Sequence, residues 1–272
     1  MIRFLASFAA RLGRLGRLTR LGLHILAGAL TILLLFPLLT SAERERRVVA
    51  WARGLLAIVR VRVRVRGRPP AVRGEGALIV ANHVSWLDIH VLHSLLPTRF
   101  VSKAEVRDWP LIGWMAARAG TLYLERAKKS DARRVNAEMA RLLQAGECLA
   151  LFPEGTTTDG TRLLPFYSSL FEPAVQAGAR VWPAAIRYLT PDGGINRAAA
   201  YHDDVSLWQS LRRILAQDAI LAEVSFLPPI AAAGLNRRQL AALAHQAIHA
   251  ALAADGRDSQ PETSARPRAA GP

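Results

Sequence analysis

Residues 77–88 read ALIVANHVSWLD, and their order decides the fold class. Five consecutive apolar residues after Gly76 are too few for a helix and lack the alternation of a half-exposed strand. They predict a strand buried on both faces. The polar Asn82 and His83 end it, and a helix expected over 85–96 is closed by Pro97. A buried strand that hands over to a helix is the repeating unit of an α/β sheet.

The same alternation extends in both directions. Further strands are predicted over 99–102, 121–124, 149–152, 180–186 and 222–226, and helices over 111–119, 130–145, 168–177, 205–215 and 237–254. Ser130 is placed as an N-cap, and Gly120, Gly146 and Gly178 as helix exits. On the N-terminal side, VRVRVRVRG at 59–67 alternates with period two. Its face of Val59, Val61, Val63 and Val65 is expected to be buried, and its Arg60, Arg62, Arg64 and Arg66 face to meet water or lipid headgroups. The fold class is therefore α/β: a mixed, largely buried sheet flanked by helices. No repeat of 20–50 residues is present, and 256–272, rich in Pro, Gly, Ser and charge, is expected to be a disordered tail.

Composition narrows the class of function. Of the 272 residues 51% are hydrophobic, which excludes a disordered chain and points to lipid contact. A single cysteine, Cys148, excludes a disulfide framework and a cysteine-rich zinc site. The net charge of +15 is unevenly spread: residues 1–80 carry 15 Arg against Glu43, Glu45 and Glu75, and the remainder is nearly balanced. The excess flanks an uncharged run of 22 residues at 21–42, LGLHILAGALTILLLFPLLTSA, long enough to cross a bilayer core. That pairing fits anionic headgroups better than nucleic acid, for which no partner role is expected. Arginines on both flanks leave orientation open. They also permit a monotopic or re-entrant helical pair bent at Pro37, with 48–59 returning along the surface; a cleaved signal peptide is the rival reading.

The residues able to carry chemistry follow strands. His83 lies just before a helix and Asp88 one turn into it, so a carboxylate can hold one imidazole nitrogen and raise the basicity of the other. This spacing is common by itself. Further on, GTLYLER places Glu125 and Arg126 at a strand end, LFPEGT brings Glu154, Gly155 and Thr156 to another, and VWPAAI sets Pro183 in or beside a third. One sheet edge can gather them. His90 and His93, at i and i+3, lack a convincing third ligand, so no metal is expected.

This ordered set, NHVSWLD, then LER, FPEGT and the Pro183 strand, resembles the glycerolipid acyltransferase family, which includes the 1-acylglycerol-3-phosphate O-acyltransferases. The resemblance runs from Gly76 to Ala185, about 40% of the chain. It implies that His83 deprotonates the free hydroxyl of a lysophospholipid, with Asp88 orienting it. It makes Arg126 the acceptor-phosphate ligand, joined by Glu154, Gly155 and Thr156, and associates Pro183 with the acyl donor. Acyl-CoA or acyl-acyl-carrier-protein would be the co-substrate and no cofactor is needed. Lysophosphatidate is the expected acceptor, and lyso-ornithine lipid the alternative, since FYSSLFEPA and HDDVSLWQSL resemble that branch and the loop after Thr156 lacks a lysine. A non-catalytic lipid-binding membrane protein is the reading from another class. The expected organisation is a membrane anchor over 1–58, an acyltransferase domain over 59–255 facing the cytoplasm, and the tail; the oligomeric state is not legible.

Overall fold

The computed structural model describes residues 2–71, 74–125 and 129–257. It begins with a helical hairpin. Helix α1 (Ile2–Leu30) passes into a π-helical turn at Thr31–Leu35 and a 3-10 turn at Phe36–Leu38. Pro37 cannot donate a backbone hydrogen bond, and the helical run breaks there. Helix α2 (Ser41–Ile58) starts on a capping box: the Glu43 N–H donates to Thr40 Oγ1, and the Thr40 N–H to Glu43 Oε2 at 2.8 Å. The segment 11–38 is long and apolar enough to cross a membrane, its most apolar 18-residue stretch having a mean hydropathy of 2.2.

Strands and helices then alternate: β1 (Val61–Arg66), β2 (Ala77–Ala81), α3 (Leu87–Leu95), β3 (Arg99–Lys103), α4 (Ile112–Arg118), β4 (Leu122–Leu124), α5 (Lys129–Gln144) and β5 (Cys148–Leu151). After them come α6 (Glu172–Ala177), β6 (Arg180–Leu189), α7 (Leu207–Leu215), β7 (Ile220–Phe226), β8 (Ile230–Ala231) and α8 (Arg237–Arg257). The strands form one mixed sheet in the order β1-β7-β6-β2-β5-β3-β4, with β8 also paired to β6. β6, β2, β5, β3 and β4 run parallel; β7 is antiparallel to β6, and β1 is parallel to β7.

All five residues of β2 are buried, because helices cover both faces of the sheet centre. One face presents Ile79, Ala81, Ala184 and Ile186 to Leu87, Val91 and Leu92 of α3, and to Leu55 and Leu56 of α2. The other presents Leu78, Val80, Leu149 and Leu151 to Met139 and Leu143 of α5 and to Leu240 and Ala244 of α8. Each fully buried Leu or Ile contributes about 1.5–3 kcal/mol relative to an exposed one, so this two-sided core dominates the stability.

Several boundaries differ from the sequence reading for local reasons. Val59 caps α2, and Arg60 turns the chain with φ 60°, so the expected strand over 59–67 begins at Val61. Its valine face is buried only at the start: Val61 is 5% exposed, whereas Val65 is 39% exposed on this edge strand. On the opposite face Arg64 and Arg66 pair with the buried Glu223 of β7, at 3.6 and 3.0 Å. Ser130 lies inside α5 rather than before it. Helix α1 extends through the basic lead-in, and α8 reaches Arg257, so 258–272 of the expected tail lie outside the described residues.

The hairpin is welded to the body. Leu18, Leu21 and Ile25 of α1 join the core beneath α2 and α3. The Arg17 guanidinium donates to the carbonyls of Leu215 and Gln217, capping the C-terminal end of α7. Arg53 Nε donates to the Ser94 carbonyl at 2.8 Å and does the same for α3. A cation at a helix C-terminus meets the negative end of its dipole. Two arginines of the basic region thus serve the fold.

Candidate active site

The carboxyl ends of β2, β4, β5 and β6 lie at one edge of the sheet, where the parallel strands hand over to loops. Asn82, the first residue beyond β2, is buried and binds both backbone groups of Ile186: its Nδ2 donates to the carbonyl (2.9 Å) and its Oδ1 accepts from the N–H (2.7 Å). This clamp fixes β6 against the turn that follows.

His83 sits on that turn. Its Nδ1 lies 2.8 Å from Asp88 Oδ2, and its side chain remains 18% exposed. The ring stacks on Phe152 with centroids 4.0 Å apart and planes 6° apart, which fixes the imidazole tilt. The backbone is held as well: the His83 N–H donates to Glu154 Oε1 (2.7 Å), and its carbonyl accepts from the Thr158 N–H (2.9 Å).

Asp88 has no exposed surface. Besides His83, its Oδ2 accepts from the backbone N–H groups of Val84 (2.8 Å) and Ser85 (3.0 Å), and its Oδ1 accepts from the Tyr188 hydroxyl (2.7 Å). An ionised carboxylate is acceptor-only, and this set of donors suits that form. Burial and then the charge of Asp88 push the Tyr188 phenol well above its ordinary value, so Tyr188 serves as a donor. With Nδ1 committed to the carboxylate, Nε2 is the imidazole nitrogen left to accept a proton.

Glu154 is almost fully buried and bridges backbone to backbone: Oε1 holds the His83 N–H, and Oε2 the Leu164 N–H at 2.8 Å. Burial raises its pKa, and the two N–H donors partly oppose that. Gly155 follows with φ 72°, a backbone that favours glycine, and closes the turn by donating to the Phe152 carbonyl. Thr156 is exposed at the edge. Pro183 lies within β6 opposite Val80, where the neighbour of β6 changes from β8 to β7, so its missing N–H falls at a break in pairing. Its carbonyl accepts from the Leu227 N–H. Arg126 lies outside the described residues; the chain reaches it from β4 through Glu125, whose N–H donates to Asp131 Oδ2 at the start of α5.

The structure thus joins His83, Asp88 and Glu154 through direct bonds, while Pro183 stays inside the sheet. His93 is used internally: its Nε2 lies 3.0 Å from the Thr98 carbonyl and its ring meets Phe100 edge-on. His90 packs between Trp51 and Trp86. Burial pushes the Cys148 thiol up to about 12, which makes it a poor nucleophile. Tyr188, Asn82 and Phe152 escaped the sequence reading as members of the site. The available signal for Tyr188 was a tyrosine on the inward face of an apolar strand, since a buried hydroxyl needs a partner.

A buried carboxylate that orients an imidazole at the edge of an α/β sheet defines a protein equipped to take a proton from an alcohol. The chain belongs to the acyltransferase family. The family model described as Acyltransferase matches residues 62–187. The chain is 42% identical over 209 residues to the lyso-ornithine lipid O-acyltransferase of Pseudomonas aeruginosa, covering 77% of this chain and 79% of that one. It is 37% identical over 185 residues to a 1-acyl-sn-glycerol-3-phosphate acyltransferase of Neisseria gonorrhoeae, covering 68% and 72%. The crystal structure of the 1-acyl-sn-glycerophosphate acyltransferase of Thermotoga maritima shares the fold, with a TM-score of 0.68 at 17% identity over 94% of this chain and 99% of that one.

Proposed function

We propose that this protein transfers a fatty acyl chain from a thioester donor to the free hydroxyl of a lysolipid, with His83 as general base. The observation that carries this reading is the His83–Asp88 pair, 2.8 Å apart with the carboxylate fully buried. His83 Nε2 takes the hydroxyl proton as the lysolipid oxygen attacks the thioester carbonyl. The C–O bond forms, the C–S bond breaks, and the imidazolium returns its proton to the departing thiolate. Positioned general bases contribute on the order of 10²–10⁴-fold. No covalent acyl-enzyme is required. The donor is acyl-CoA or acyl-acyl-carrier-protein.

For the acceptor, a phosphate-bearing lysophosphatidate is the reading that rests on Arg126 following β4 and on Gly155 and Thr156 at the adjacent strand end. Lyso-ornithine lipid is the second reading, supported by the 42% identity to an enzyme named for it. The exposed leucines of the hairpin, Leu12, Leu15, Leu23, Leu26, Leu30, Leu33 and Leu34, fall on one helical stripe, opposite the residues packed on the body. This supports a monotopic seat on the cytoplasmic face of the membrane, where the thioester donor is available and exposed Arg11, Arg14 and Arg20 meet anionic headgroups.

The test uses detergent-purified protein with labelled acyl-CoA or acyl carrier protein thioester, each offered lysophosphatidate or lyso-ornithine lipid. Acylation of at least one acceptor by the wild type and none by His83→Ala is expected. Undiminished turnover in a folded His83→Ala protein would remove the proposed base.

A further inference from the structure

We propose that Tyr188 is a positioning residue of this reaction: it holds Asp88 in the one orientation that keeps His83 aimed at the acceptor hydroxyl. The proposal rests on the reading of His83 as general base. The two oxygens of Asp88 are used differently. Oδ2 gathers His83 Nδ1 and the N–H groups of Val84 and Ser85, all from the turn that Asp88 itself closes. Oδ1 receives the Tyr188 hydroxyl at 2.7 Å, from a strand 100 residues further along the chain. Turning the carboxylate about its Cβ–Cγ bond displaces both oxygens, so the Tyr188 bond adds a restraint from the sheet to the three that the local turn supplies.

The placement of Tyr188 is itself fixed by the catalytic turn. Asn82, immediately before His83, clamps both backbone groups of Ile186, two residues before Tyr188 on the same face of β6. The residue before the base therefore sets the register of the strand that delivers the hydroxyl. Tyr188 is buried among apolar neighbours, and Asp88 has no water-exposed surface. The hydroxyl thus takes the place of solvent at Oδ1, and its loss leaves a buried anionic oxygen without a donor among the described residues.

The bland alternative is a core tyrosine whose hydroxyl merely found a partner, and Tyr188→Phe separates the two because it keeps the ring and its packing. Among the described residues, the groups facing His83 are Asp88 from α3, Glu154 from the loop after β5 and, through Asp88, Tyr188 from β6. In Tyr188→Phe the carboxylate charge is no longer shared with a phenol, so more of it faces the imidazole and favours its protonated form. The expected result is a kcat lower on the order of tenfold, with KM for donor and acceptor within about twofold of wild type. The acidic limb of the kcat–pH profile should also move to higher pH. Wild-type kcat with an unmoved limb overturns the proposal. So does lost activity that tracks lost thermal stability while the limb stays in place, since that is the signature of packing alone. His83→Ala, run in parallel, isolates the underlying reading: turnover in that variant overturns the base assignment itself, whatever Tyr188→Phe does.

Discussion

His24 and Trp51 each bind the other's backbone: Trp51 Nε1 donates to the His24 carbonyl at 3.1 Å, and His24 Nε2 lies 2.8 Å from the Trp51 carbonyl. Their rings stack 5.2 Å apart, and the two residues bolt α1 to α2. Glycines make this approach possible. A Cβ at Gly28 would run into Trp51, and one at Gly54 into the His24 ring, whereas a Cβ at Gly22 meets nothing. Gly54→Ala should therefore lower the melting temperature in detergent, while Gly22→Ala should leave it unchanged or raise it, since helix propensity there improves by up to about 1 kcal/mol. Equal responses at the two positions would argue against a close-packed hairpin.

Glu154→Gln tests the backbone bridge. Glutamine has one acceptor oxygen, so it can satisfy the His83 N–H or the Leu164 N–H but leaves the other facing an amide. A cost of about 1–3 kcal/mol in denaturant unfolding is expected, together with reduced turnover, because the turn carrying His83 loosens. An unchanged unfolding midpoint would free Glu154 from this structural duty.

Acid should weaken the fold through His93. Burial lowers its pKa from 6.5 to about 4. Between those values the unfolded chain binds the proton that the folded chain refuses, so stability is full above 6.5 and falls as pH drops towards 4. The whole effect is worth roughly 3 kcal/mol. His93→Gln keeps a donor for the Thr98 carbonyl and removes the titration, so its melting temperature should decline less over that interval than that of the wild type.

The N-terminal arginines should separate into two groups. Arg46 and Arg47 are exposed on α2, and replacing both with Ala should weaken salt-sensitive binding to vesicles containing phosphatidylglycerol by about 1 kcal/mol per residue, with thermal stability unaltered. Arg53→Ala should lower the melting temperature instead, because it uncaps α3. Vesicle flotation and thermal unfolding of the two variants measure the contrast directly.

Much of this architecture is legible in local sequence. β2 matches its apolar run end to end, and Pro97, Gly146 and Gly178 stand where helices stop, because these signals act over a few residues. The His83–Asp88 pair is legible for the same reason: five residues separate the partners, and the first turn of α3 brings them together. Long-range satisfaction is not. Glu154 reads as an acceptor-side residue, yet its oxygens are taken by N–H groups 71 residues back and 10 ahead. Arg17 and Arg53 read as headgroup-facing charges, but each found a helix end that only the tertiary fold supplies. Tyr188 carried no motif around it, since its partner lies 100 residues away.

The weld between hairpin and body has a mechanical consequence. Because α1 is bolted to α2 and capped onto α7, the apolar hairpin and the part that carries the imidazole move as one piece. The imidazole nitrogen hangs on no swinging tether, so on the monotopic seat proposed above its height over the bilayer is a dimension of the fold, like the gap of a caliper. On that seat a lysolipid would have to rise to that mark, and the depth to which the leucine stripe sinks would set how far it has to climb.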